Sequence, residues 1–121
     1  MKKQRFEELV DEALTALPKK FKKRIENLVV MVEENPPKDL QRQTGSPPFS
    51  TILGLYHGVP LKHRGFSYGN IPPDVIIIYQ KPIENMCLSE DEMKQKIKDV
   101  LFHEIGHYFG MTEEDLNMVD E

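Results

Sequence analysis

The sequence predicts an α+β fold, in which helices pack on a small, mostly three-stranded sheet. Three observations support this: an amphipathic helix opens the chain, short β-branched segments follow it, and a long amphipathic helix lies near the end. Separate runs of strands and helices are typical of α+β proteins. The 121 residues, 39% hydrophobic and 30% charged, predict a single soluble, globular domain over residues 1–121.

The first predicted element is a helix over residues 4–17. Pro18 ends it, because proline has no backbone N–H and its ring clashes with the preceding helical turn. Residues 19–24 can add one more helical turn. Apolar side chains recur at intervals of three and four residues, the spacing of one helix face. They are Phe6, Leu9, Val10, Ala13, Leu14 and Leu17.

Three short segments predict strands. Residues 28–32 are β-branched and apolar, and predict a buried strand. Residues 51–56 predict a second strand, in which Gly54 indicates either a bulge or the close approach of another part of the protein. Residues 75–79 are the strongest strand candidate, and Pro82 is expected to close that strand. The Pro- and Gly-rich segments 36–50 and 57–73 predict long loops between the strands.

The long C-terminal helix is predicted to begin at Ser89. Ser89 and Glu92 match the S-x-x-E capping box, which satisfies free N–H groups at a helix start. Gly110 lies where a left-handed residue usually ends a helix. Thr112 then predicts the start of a short last helix. The apolar face of the long helix consists of Met93, Ile97, Val100, Leu101 and Ile105, with Tyr108 or Phe109.

Inside this helix, residues 103–107 read His-Glu-Ile-Gly-His. Positions i and i+4 lie on one helix face, so His103 and His107 can hold one metal ion. Glu104 points about 100° around the axis, where it can reach a water on the metal rather than the metal itself. Zn²⁺ lowers the pKa of such a water to about 7, and a neighbouring carboxylate can take its proton. The motif predicts Zn²⁺ as cofactor and Glu104 as general base; the alternatives are a purely structural metal and two surface histidines.

The third metal ligand is predicted to be Glu113. Gly110 can adopt a positive φ and turn the chain back, so that the residue three positions later returns toward the metal, and a carboxylate is an acceptable zinc ligand. However, Thr112 is a good N-cap, and an acid in the following turn is favourable without any metal. Glu114 or Asp115 as the ligand, or no third protein ligand, therefore remain alternatives.

Residues 100–116, VLFHEIGHYFGMTEEDL, resemble the minimal zincin family of small bacterial zinc metallopeptidases, which has an HExxHxxGxx(D/S)-type motif. Residues 53–61, LGLYHGVPL, and 73–79, PDVIIIY, match the same family's pattern. The resemblance implies a zincin-like fold and a zinc metallopeptidase assignment. The family's third-ligand position maps on Glu113, where this chain has glutamate instead of aspartate or serine.

The remaining polar candidates carry weaker signals. His57 and His63 lie in or beside a predicted loop, where they can line a cleft or stabilise an oxyanion, but solvated side chains are the simpler expectation. Cys87 excludes an internal disulfide and is expected to be a small buried hydrophobe. The four tyrosines are candidate phenol donors, although core packing with a tethered hydroxyl is expected for most. They are Tyr56, Tyr68, Tyr79 and Tyr108.

Charge and hydropathy disfavour some classes of function for this protein. The net charge is −4, and residues 84–121 contain three Lys against eleven Asp and Glu. This acidity disfavours a nucleic-acid partner, and with it a metal-dependent RNA hydrolase. No apolar run approaches the roughly 20 residues that span a bilayer, and there is no signal-peptide pattern. We therefore expect a cytoplasmic protein without a membrane partner. The resemblance to the metallopeptidase family implies a peptide or protein substrate.

A non-catalytic function is the main rival to the peptidase. In this alternative, the domain is a metal-binding interaction module, and metal binding supplies folding energy that a small core lacks. The loops 36–50 and 57–73 would then form the partner surface.

Overall fold

The computed structural model describes residues 1–23, 25, 27–40, 52–58 and 73–110. Its helices are α1 (Lys3–Thr15), α2 (Lys19–Lys22), α3 (Gln80–Met86) and α4 (Glu90–Tyr108), and its strands are β1 (Leu28–Glu33), β2 (Gly54–His57) and β3 (Asp74–Tyr79). This α+β arrangement, with one three-stranded sheet and a long helix that carries the HExxH motif, confirms the predicted fold class. None of the helices in the described part of the chain is long and apolar enough to cross a membrane.

The three strands form a mixed sheet in the order β1-β3-β2. β1 runs parallel to β3, and β2 runs antiparallel to it. On the sheet face that packs on helices, Ile76 and Ile78 of β3 are fully buried. On the opposite face, Val29 and Met31 of β1 are 41% and 45% exposed. The expectation that β1 is buried is therefore wrong for one of its faces, because β1 is an outer strand and its alternate side chains point away from the core.

The helix α4 packs against α1, α3, β2 and β3, so it lies at the centre of the helical layer. Its buried side chains meet those of α1 and of the inner sheet face in one apolar cluster. Burial of this kind is the main favourable term in folding. The cluster consists of Phe6, Leu9, Val10, Ala13, Val32, Ile76, Ile78, Ile83, Ile97, Val100, Leu101 and Ile105.

The short helix α3 was not predicted, and it corrects the role given to Pro82. The strand β3 ends at Tyr79 and leads directly into α3, in which Pro82 is the third residue. Proline is tolerated there because the first backbone N–H groups of a helix have no acceptor within it. The side-chain amide of Gln80 donates to the backbone oxygen of Met1 at 2.8 Å and to Oε1 of Glu84 at 2.8 Å. These bonds tie α3 to the segment that precedes α1.

Both predicted ends of the long helix are confirmed. The backbone N–H of Glu92 donates to Oγ of Ser89 at 3.1 Å, and Oε2 of Glu92 accepts from the N–H of Leu88 at 2.5 Å. After Tyr108, Gly110 has φ = 85°, and its N–H donates to the oxygen of His107 at 2.9 Å. A non-glycine residue would be strained in this left-handed conformation, so the chain turns at Gly110. The short helix expected from residue 112 onward lies outside the described residues.

The N-terminal helices differ from prediction only at their bounds. α1 ends at Thr15, three residues before Pro18, and α2 is the additional helical turn. The aromatic ring of Phe21, in α2, packs against Phe102 edge-to-face at 5.5 Å and stacks on Phe109 at 5.8 Å, measured between ring centroids. These two aromatic residues flank the HExxH motif, so α2 supports the end of the helix that carries it.

Candidate metal centre

The HExxH motif occupies the last two turns of α4. His103 and His107 are one helical turn apart and partly exposed. Their ring centroids are 4.9 Å apart, and the ring planes are inclined by 79°. This is the face-sharing arrangement that the i, i+4 spacing predicts. Both imidazoles are thus side by side on a surface that solvent reaches.

Glu104 completes a cluster that could hold a metal ion. One ligand atom each from His103, Glu104 and His107 lie within 4.8 Å of one another. Unlike the two histidines, Glu104 is buried, with 8% of its surface exposed. Burial of a carboxylate is unfavourable unless it is hydrogen-bonded, and no buried side-chain nitrogen or oxygen in the described ranges lacks a hydrogen-bond partner. The HExxH motif identified Glu104 from the sequence, but the sequence did not predict that this side chain is buried.

The strand β2 lies against α4 beside Glu104. A Cβ atom built on Gly54 would lie only 2.6 Å from Cγ1 of Val100 and 3.4 Å from Cγ of Glu104. Real Cβ atoms essentially never approach a neighbour as closely as 2.6 Å. Of the two roles expected for Gly54, the close approach is therefore the one that its surroundings require.

A buried carboxylate that sequence analysis missed lies at the start of β3. Asp74 is 2% exposed, and its Oδ2 accepts a hydrogen bond of 2.6 Å from the hydroxyl of Tyr56. The backbone at Gly58 covers the carboxyl group, because a Cβ there would come within 2.3 Å of the Asp74 Cγ. The ring of Tyr56 packs edge-to-face on Tyr108 of α4, 6.2 Å between centroids. The sequence signals for this network were an acid directly before an apolar strand and the expectation that most tyrosines combine core packing with a tethered hydroxyl.

Two of the weaker candidates, His57 and Cys87, lie outside this cluster. His57 is exposed at the end of β2, as expected for a solvated side chain. Cys87 is partly buried and packs on the apolar cluster. Burial raises the pKa of its thiol, and the nearby Glu92 carboxylate raises it further, which disfavours the nucleophilic thiolate. His63, Tyr68, Glu113, Glu114 and Asp115 lie outside the described residues.

Comparison with known proteins assigns the chain to a family. The family described as zincin-like metallopeptidase matches residues 25–121, which is well over half of the sequence. The chain belongs to the zincin-like metallopeptidase family. The matched region includes the HExxH motif and the three strands in the described part of this zincin-like protein, and it confirms the resemblance inferred from residues 53–61, 73–79 and 100–116.

The fold of this zincin-like protein also resembles a solved structure. A conserved hypothetical protein from Thermus thermophilus is 21% identical and superposes with a TM-score of 0.57, covering 90% of this chain and 94% of that chain. At this identity the likeness concerns the fold alone. No curated protein matches the chain.

The donor set of the cluster fits zinc. Imidazole nitrogen and carboxylate oxygen are both common zinc ligands, and catalytic sites usually combine three protein ligands with one open position. In this zincin-like protein the two imidazoles are partly exposed, which leaves room for a further ligand and a water. His103 and His107 could hold the ion, with Glu104 beside it.

The hydrogen bond between Tyr56 and Asp74 leads to a stability prediction. We expect Tyr56→Phe to lower the free energy of unfolding by about 1.5–3 kcal/mol, because it removes a hydrogen bond to a buried charged group. Urea denaturation of both proteins measures the difference. In an Asp74→Asn background the same change should lower it by only about 0.5–1.5 kcal/mol, since the acceptor is then neutral. Equal and negligible effects in both backgrounds would show that this bond does not stabilise the fold.

Proposed function

We propose that this zincin-like protein is a zinc-dependent peptidase, in which His103 and His107 bind Zn²⁺ and Glu104 is the general base. The observation that carries the proposal is the cluster of two imidazoles and one carboxylate within 4.8 Å on a single helix. Family membership supports the same chemistry.

Each residue of the cluster has a distinct role in this proposal. When bound, zinc supplies Lewis acidity that lowers the pKa of a coordinated water to about 7 and polarises a substrate carbonyl. His103 and His107 present their imidazoles from one helix face and fix the position of the ion. Glu104 accepts the proton of the attacking water and passes it to the leaving amine. Its buried position holds the carboxylate in one place for both transfers.

The proposed substrate is a peptide in an extended conformation. β2 is an outer strand of the described sheet and packs directly on the motif-bearing helix. An extended peptide can add to such a strand through main-chain hydrogen bonds, as in β-augmentation, and this would bring its carbonyl groups near the cluster. A cytoplasmic location and the absence of nucleic-acid and membrane partners stay predictions.

The first test of the proposal is metal binding. We expect His103→Ala and His107→Ala each to abolish tight zinc binding, because two imidazoles from one face hold the ion together. Competition with a chromophoric zinc indicator measures the affinity, and His57→Ala is the matched control, since that histidine is exposed on β2. Stoichiometric, tight binding in both cluster variants would overturn the assignment of the ligands.

The second test separates catalysis from metal binding. We expect Glu104→Gln to keep the fold and bound zinc, yet to lower kcat for peptide hydrolysis about 10²–10⁴-fold, the usual contribution of a general base. Mass spectrometry after incubation with a mixed peptide library identifies a peptide that is cleaved, and hydrolysis of that peptide gives kcat for both proteins. The control is Glu7→Gln, the same substitution at an exposed position of α1. A zinc-loaded wild-type protein that hydrolyses no peptide would favour the interaction module.

The third test concerns Glu113, proposed as the third ligand. We expect Glu113→Ala to weaken zinc binding at least about tenfold, which corresponds to about 1.4 kcal/mol, whereas Glu114→Ala leaves it unchanged. Loss of an acid at a helix start would change stability by only about 0.3–1 kcal/mol. Zinc competition measures both variants. Equal affinities for the two would show that another group completes the site.

A further inference from the structure

We propose that Gly54 is a positioning residue for Glu104. Its lack of a side chain sets the distance between β2 and α4, and thereby holds the stem of the Glu104 side chain against the strand. The consequence for hydrolysis rests on the proposed peptidase function, whereas the contact itself does not.

The contact depends on matched spacing between the strand and the helix. Val100, Glu104 and Tyr108 recur every four residues and form one buried stripe of α4. Gly54 and Tyr56 are two residues apart on β2, so they point to the same sheet face. Gly54 lies opposite Val100 and Glu104, while Tyr56 packs on Tyr108. Two strand residues span about 6.6 Å and four helix residues about 6.0 Å, so the two rows stay aligned.

Any side chain at position 54 would separate these rows. The added Cβ would lie 2.6 Å from Cγ1 of Val100. Val100 is buried and β-branched, so it has little freedom to rotate away. Instead, β2 and α4 must move apart, and the Cγ atom of Glu104 loses the strand backbone that now lies against it. His103 and His107 lie on the neighbouring, partly exposed face of α4, so the metal ligands are not part of this contact.

The experiment compares Gly54→Ala, Val100→Ala and the double variant with the wild-type protein. We expect Gly54→Ala to keep its zinc affinity and to have little effect on KM. Its kcat should fall on the order of ten- to a hundredfold, because displacing a catalytic group by about 1 Å can have an effect of this size. Val100→Ala removes Cγ1, the atom that the new methyl group would meet at 2.6 Å, and leaves approaches of 3.3 Å to the backbone oxygen of Ile77 and 3.4 Å to Cγ of Glu104. In the double variant kcat should therefore return to the value for Val100→Ala alone. The control is Met31→Ala, on the outer strand β1 and on the exposed sheet face, which should leave kcat unchanged.

A second readout does not need catalysis. In the metal-free protein, nuclear Overhauser effects between the ring protons of Tyr56 and Tyr108, whose centroids are 6.2 Å apart, report the spacing between β2 and α4 in every variant. We expect them in the wild type and in the double variant, and we expect them to weaken or vanish in Gly54→Ala. If the wild type hydrolyses no peptide, the peptidase proposal fails, and these effects alone decide whether Gly54 sets the spacing between β2 and α4 that positions Glu104.

Several results would overturn the proposal. They are a wild-type kcat in Gly54→Ala, a loss of zinc affinity in that variant, or unchanged Overhauser effects between Tyr56 and Tyr108. If Gly54→Ala does not fold, the double variant decides: it should fold and match Val100→Ala in kcat and in its Overhauser effects. A double variant that remains unfolded would show that Gly54 is required for a reason other than this contact.

Discussion

The close packing of α4 on the inner face of the sheet is the constraint on which the rest of the structure depends. The helix contributes buried side chains to the apolar core and, from the adjacent face, the two histidines of the metal cluster. Core and candidate site are therefore two sides of one rigid element. Protein interiors are close-packed and respond to changes of a single methyl group, so a change in how α4 contacts β2 also reaches Glu104, whose carboxylate lies beside the two histidines.

The buried position of Glu104 shows how this arrangement combines two opposing requirements. A general base must be reached by water, but a base on a mobile surface side chain would spend little time in the reactive geometry. In this protein the stem of Glu104 lies between helix and strand, while its carboxylate lies within 4.8 Å of ligand atoms of the two histidines. The apolar part of the side chain thus faces the strand, and the polar end lies beside the imidazoles.

Patterns within short stretches of sequence predicted the elements that depend on interactions between neighbouring residues. The apolar period predicted α1 and α4, the Ser89 capping box and Gly110 marked the ends of α4, and the i, i+4 spacing placed both histidines on one face. The short helix α3 was not predicted, because its seven residues carry no periodic apolar pattern and include a proline. The exposed face of β1 depends on strand order, which the sequence does not state.

The candidate site likewise combines residues that are neighbours along one helix with contacts between segments that are distant in the sequence. His103, Glu104 and His107 were identified because they are neighbours along one helix. The burial of Glu104 depends on β2, and the hydrogen bond between Tyr56 and Asp74 joins two strands separated by a long connection. Such contacts between distant segments have no periodic signature, so they became visible only once the strands were paired.

The packing of α1 on α4 has a consequence for how the protein reaches its folded state. The family match begins at residue 25, yet α1 lies before that point and supplies Phe6, Leu9, Val10 and Ala13 to the core. Arg5 and Glu90, which are hydrogen-bonded, are 85 positions apart in the sequence. Contacts of such long range form slowly, because a large loop must close first. During synthesis, α1 therefore leaves the ribosome well before its partner and must keep its apolar face from aggregation until α4 emerges. The scaffold of the metal cluster is thus among the last parts of the protein to be completed.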